Sequence, residues 1–216
     1  MSETYPIQLP DLGVASVEFS FVNVTPMATS PFTLSTQAQR FKGGRFEATI
    51  TYPPMKREQA EQVISFLLRL RGRSGTFLLG DPSASNPQGA AVNDSGTITL
   101  DSTNVITPFP VASGTDTIML TTTGMSTQTD YLKAGDYLQI NTGTDARLHK
   151  VLTDVNLSSG DADVMIHPET RQTHYKGDTI TLVNAKGVFR LRDDAVNWSV
   201  NNASMYGLSF SAIEVI

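Results

Sequence analysis

The sequence predicts a mainly β protein: an outer β-sandwich carrying one α-helix, interrupted by a small inserted β-barrel. Three observations predict it. Apolar residues alternate in short runs along most of the chain, and a helical period occurs once. The aromatic residues divide unevenly: residues 1–80 and 187–216 hold nine of the ten Phe and the only Trp, while residues 81–186 hold Phe109 alone. Charge divides the same way, with 6 Lys and Arg against 12 Asp and Glu in the middle, and 10 against 9 in the two flanks together. The outer domain is therefore placed at 1–82 and 187–216, and the inserted one at 83–186.

Each element has its own reason. Residues 17–21 and 46–52 alternate apolar and polar, the period of a half-buried strand. Gly43-Gly44 reads as a turn before the second run, and Pro53-Pro54 ends it. Residues 56–71 form the helix: Ala60, Val63, Ile64, Leu67 and Leu68 follow the spacing of one helix face, and Phe66 and Leu70 widen it. Pro54 suits the helix start, Arg69 and Arg71 favour the negative end of the dipole, and Gly72 supplies a left-handed stop. Residues 76–79 make a short buried strand.

Residues 83–96 read as a polar linker. Strands follow at 97–100, 117–122, 137–140, 147–152, 163–167 and 179–183, punctuated by Gly, Asn and Asp. Many short strands with turns between them suggest a small barrel. Residues 188–192, 197–200 and 206–215 return to the first style. In the last run Tyr206, Leu208, Phe210 and Ala212 share one face. No strand follows it, so it must pair with strands before residue 80 or with another chain.

The totals exclude several classes. The 216 residues contain no Cys, which removes disulfides and cysteine chemistry. The first residues have neither the basic start nor the apolar core of a signal peptide. No apolar run approaches the ~20 residues of a membrane-spanning helix. A net charge of −5 argues against a nucleic-acid partner. No motif of a hydrolase elbow, a phosphate loop or a zinc protease is present, and no cofactor is called for.

Three clusters invite chemistry, each with a plainer alternative. His149, His167 and His174 lie near Asp161, Asp163 and Glu169, a possible metal set, although their spacing matches no ligand motif. The Asp-rich turn at 156–163 would offer oxygen ligands to calcium but lacks the full loop pattern. Tyr131, Tyr137 and Tyr175 would form a sugar-stacking platform, or else belong to the barrel's core and rim. Lys56, Arg57, Arg69, Arg71 and Arg73 frame the helix, as a solvated face or as a seam to an acidic neighbouring subunit. Trp198 is an interface anchor or a core residue.

Three stretches resemble the distal tail proteins of long-tailed bacteriophages. They are Tyr52-Pro53-Pro54-Met55 with its helix running into Gly75-Thr76-Phe77-Leu78-Leu79-Gly80-Asp81-Pro82; Leu132-Lys133-Ala134-Gly135-Asp136-Tyr137-Leu138-Gln139-Ile140; and Gly187-Val188-Phe189-Arg190-Leu191 with the terminal strand at 209–215. The resemblance implies a structural, non-catalytic virion protein at the tail tip, assembled in the host cytoplasm. It implies that the outer "belt" domain forms a ring, a hexamer in such proteins, between the tail tube above and the hub and fibre proteins below. The inserted barrel, of an oligosaccharide-binding or galectin-like kind, would project outward toward fibres or host glycans.

Such a ring subunit would expose strand edges or apolar patches as an isolated chain. A carbohydrate-binding module would instead be a monomer stabilised by sugar. A metal-dependent enzyme would lose its activity when His149, His167 or His174 is replaced.

Overall fold

The computed structural model describes residues 3–101 and 110–216, so Phe109 lies outside the described residues. Among the described residues the fold is mainly β, with a single α-helix and a nearly closed six-stranded barrel-like sheet.

The chain opens with β1 (Ile7–Gln8), β2 (Ser16–Val24), β3 (Met27–Thr29), β4 (Thr36–Ala38) and β5 (Phe41–Thr51), of which β3 and β4 pair only with each other among the described residues. Helix α1 (Arg57–Arg69) and β6 (Phe77–Leu79) follow. The barrel then takes β7 (Ile98–Leu100), β8 (Thr117–Thr122), β9 (Gln128–Leu132), β10 (Tyr137–Ile140), β11 (Arg147–Val151), β12 (Val155–Leu157), β13 (Asp161–His167) and β14 (Ile180–Thr181). The chain returns to the first sheet with β15 (Gly187–Leu191), β16 (Trp198–Val200) and β17 (Tyr206–Glu214).

The first sheet runs β1-β6-β15-β17-β5-β2, with β16 also paired to β17. Strand β17 does find its partner before residue 80: Phe210 pairs with Ile50 and Ala212 with Ala48. Their side chains join Val17, Phe19 and Phe21 of β2 on one apolar face. The opposite face is polar, with Thr49 bonded to Ser211 at 3.2 Å and Thr51 to Ser209 at 3.1 Å.

Two different covers bury that apolar face. Helix α1 supplies Ala60, Val63, Ile64, Phe66 and Leu67, and Leu70 follows at its C-terminal cap. Phe66 meets Phe77 edge-on at 5.5 Å, and Phe77 meets Phe210 at 6.2 Å. The barrel supplies Tyr137 and Leu148 to the same core, and Tyr137 lies 6.5 Å from Phe46. Strand β11 is consequently buried on both sides. Leu148 faces the first sheet, while His149, opposite Leu138, faces the barrel interior.

The barrel order is β14-β10-β11-β13-β8-β7. The Thr99–Thr179 bridge nearly closes it, and the Leu100 N–H donates to the Asp178 carbonyl at 2.9 Å. A second pair, β9 with β12, lies against this sheet.

Several local expectations are corrected. Gly43-Gly44 is not a turn but part of β5. A Cβ at Gly44 would lie 2.8 Å from the Phe21 ring, so glycine here makes room for an aromatic across the strand pair. The helix starts at Arg57 rather than 56, because residues 53–55 stay extended and Met55 bridges to Tyr206. Leu68 is 56% exposed and does not belong to the buried stripe. The left-handed stop begins at Arg71 (φ 51°) and continues at Gly72 (φ 67°), where the Asp194 carboxylate accepts from the Arg73 N–H at 3.0 Å.

The segment 83–96 is built structure rather than a polar linker. It holds 3₁₀ turns at Pro82–Ala84 and Ala90–Asn93 and buries Ala91. Asp94 pins it to the barrel by accepting from Tyr131 Oη and Thr122 Oγ1, both at 2.7 Å, and from the Gly96 N–H at 2.9 Å. These bonds outweigh burial and hold the Asp94 carboxyl below its ordinary range.

Candidate interaction surface

The polar candidates disperse when placed on the fold. Tyr131 is buried in the barrel core with its hydroxyl on Asp94, and burial with that bond pushes its phenol far up. Tyr137 is buried in the other core, with the Lys150 ammonium 4.6 Å over its ring. Tyr175 alone of the three is exposed, so they form no common platform.

The histidines separate in the same way. His167 lies on the outer face of β13, its ring 4.3 Å from that of Phe21. His149 and His174 are enclosed. Asp161 and Asp163 point outward on β13, and Glu169 pairs with Arg40 at 3.0 Å. Among the described residues, no three His, Asp or Glu side chains gather as a metal set.

The buried histidines have a consequence for stability. His149 Nδ1 lies 2.7 Å from the Pro168 carbonyl, which only accepts, so Nδ1 carries the proton. Nε2 has no partner. Burial pulls the imidazole's pKa from 6.5 down to about 3, with Arg171 and His174 adding to the shift. Below pH 6.5 the unfolded chain takes up a proton that the folded chain refuses, so stability falls as pH falls toward 3. Between pH 6.5 and 4.5 the native protein is expected to lose about 2–3 kcal/mol more than His149→Leu. Urea midpoints at the two pH values check this; equal losses in both proteins would refute it.

A buried ion pair joins barrel and sheet. Arg171 Nη1 lies 2.9 Å from Glu214 Oε2, with both side chains nearly fully enclosed. Arg171 Nη2 donates to the Gly44 carbonyl at 2.7 Å, and the Phe46 N–H donates to Glu214 Oε2 at 2.9 Å. Burial pushes the Glu214 carboxyl up, while Arg171 pulls it back.

The framing cations lie on the surface and are partly engaged. Arg57 meets Glu61 at 3.5 Å, and Arg69 pairs with Glu3. Arg71 and Arg73 lie in the turn after α1. Trp198, one of the two readings left open, is 47% exposed and not a core residue.

An exposed apolar feature lies beyond the first sheet. Strands β2 and β5 run past the sheet, and β3 and β4 pair beyond them through Met27–Ala38, Ala28–Gln37 and Thr29–Thr36. Together they form an arm over residues 22–41. Phe32 is 94% exposed, Leu34 76% and Met27 69%, and Val22, Val24 and Phe41 are also exposed. Residues 22–39 contain no Asp, Glu, Lys or Arg, in a chain where 17% of residues are charged. That charge-free run was the available signal.

These six side chains present on the order of 700 Å².

The sheet has an irregularity on the other side of the β5–β17 pair. Between β15 and β16 the chain loops out and leaves a notch of about 340 Å³ beside β17. Leu67, Leu191, Val196 and Phe210 line it, with Asp193 and Asn197 on its wall. Among the described residues strand β16 pairs with β17 only, and its Trp198 and Val200 are exposed.

No protein-family model matches the chain, and no curated protein matches it.

Proposed function

We propose that this chain is a structural subunit of the bacteriophage tail tip, forming a ring between the tail tube and the hub and fibre proteins. The observation that carries this reading is the arm. An uncharged extension with Phe32, Leu34 and Met27 in water is costly for a lone chain and suits one that assembles. The open edges of β2 and β16 support the same reading, since unpaired strand edges invite another chain. The three family-like stretches supply the identity of the assembly.

In this reading the first sheet with α1 is the belt, assembled in the host cytoplasm into a hexameric ring. The barrel contacts fibres or host-surface glycans, and the protein performs no catalysis. The barrel is held by the shared core and by Arg171–Glu214, so force applied to it is passed to the belt rather than absorbed by a tether.

Light scattering across a concentration series tests the proposal. A discrete mass of a hexamer, or a climb toward it, with a central channel on imaging, is expected. A strict monomer that also fails to bind purified tail tubes would overturn it.

A further inference from the structure

We propose that the arm of one copy docks into a groove at the start of β2 in a second copy, with Phe32 and Leu34 entering between the loop at 9–14 and the end of β6. This names a contact within the ring reading and rests on that reading for its choice of a second copy as occupant.

The groove is an aliphatic recess. Leu9, Leu12, Val14, Val17 and Leu78 line it, and each is half buried, so their side chains still meet solvent around a space of about 370 Å³. The first four already pack against the core under the sheet, so the floor of the groove is fixed while its mouth is open. The far wall is made by the two crossings between sheet and barrel, residues 80–85 and 184–186. Its charged groups are engaged within the chain. The Asp81 carboxylate accepts from the Ser83 N–H at 2.9 Å, and Lys186 Nζ donates to Gln8 Oε1 at 3.3 Å. The recess therefore suits an uncharged, apolar occupant.

The arm is such an occupant. It carries no charge over residues 22–39, and its exposed apolar side chains present on the order of 700 Å². That area approaches the ~800 Å² each partner gives to a stable interface. Phe32 is 94% exposed, so the arm does not fill the groove of its own chain.

Placement supplies the rest. Val17 stands at the start of β2 and lines the groove, whereas the arm leaves from the other end of that strand, after Val22. Seven residues of extended chain from Val17 to Val24 put roughly 20 Å between the two features, before the length of the arm is added. Every copy therefore carries one donor and one different acceptor at opposite ends of one rigid strand. Such a contact is head-to-tail, and it closes into a ring when the rotation between copies divides the circle. A self-matching patch would stop at a pair. The arm's tip also bears its large side chains next to a fixed turn, with the Leu34 N–H bonded to the Ser30 carbonyl at 3.0 Å, so little order is lost on docking.

The chain's lack of cysteine allows a direct test. Thr33→Cys on the arm and Asp11→Cys on the exposed rim of the groove are made as separate variants, mixed and mildly oxidised. The mixture is expected to give a disulfide-linked dimer well above either variant alone. Thr33→Cys mixed with Asn197→Cys, beyond β17, is the control and should show no such excess. Adding Phe32→Asp and Leu34→Asp to the arm variant is expected to lower the yield with Asp11→Cys about thirtyfold or more, the effect of losing a buried anchor. Its melting temperature should stay that of the parent, because the arm lies outside both cores.

No excess over the control, or a cross-link indifferent to the two aspartates, would overturn the proposal. A discrete hexamer without the arm–groove cross-link would remove this contact and leave the ring standing. Cross-linked chains that grow into open filaments would keep the contact and remove the ring.

Discussion

Arg171→Leu is expected to destabilise the protein by about 3–5 kcal/mol, the usual cost of leaving one partner of a buried ion pair behind. Glu214 would keep the Phe46 N–H at 2.9 Å and lose the Arg171 guanidinium at 2.9 Å. The Gly44 carbonyl would lose its Nη2 donor as well. The double variant Arg171→Leu/Glu214→Gln should recover at least about 2 kcal/mol, since no charge is then buried and the Phe46 N–H keeps an acceptor. Urea denaturation of the two variants and the native chain measures both steps. A single-variant cost below about 1 kcal/mol would mean that water reaches the pair and that barrel and sheet are not locked at this point.

Phe77→Ala is expected to cost a further class of energy, about 3–5 kcal/mol of lost burial and residual cavity. Phe77 is fully buried at the start of β6, between Phe66 of α1 and Phe210 of β17. Neither neighbour can move inward easily. Phe66 is fixed on the helix, and Phe210 is held by pairing with Ile50. Phe77→Leu should cost well under half as much, because most of the volume remains. Equal costs for the two variants would show that the loss comes from the strand backbone and not from packing.

The sequence was most legible where one face is buried and the other is wet. Residues 57–69, 46–51 and 206–214 declare their periods plainly, and the rule that the last strand needs a partner located its neighbour before residue 80. Legibility failed where that rule of one buried face does not hold. Strand β11 is enclosed on both sides, so His149 between Leu148 and Lys150 gave no hint that it points into the barrel. Segment 83–96 looked like a linker because its buried groups are small and because Asp94, a single residue, does the anchoring. The arm was missed for the opposite reason: pattern reading looks for a core, and no core covers residues 22–41. Its mark was a missing property, charge, rather than a periodic one. Of the residues singled out for binding, Tyr131 and Tyr137 are core, and His167 is separated from His149 and His174 by the barrel wall.

The return of the chain to its first sheet also sets an order of events during synthesis. Phe46 and Glu214 are 168 residues apart and share a hydrogen bond. At about 5–20 residues per second, β5 emerges roughly ten to thirty seconds before β17 can lie beside it. Throughout that interval the edge of β5 from Glu47 to Thr51 that will meet β17 has no final neighbour. The barrel's strands, close in sequence, can close first. The nascent chain therefore passes through a state with a finished barrel and an unfinished sheet, and it is in this state, before any ring exists, that the protein is most exposed to aggregation.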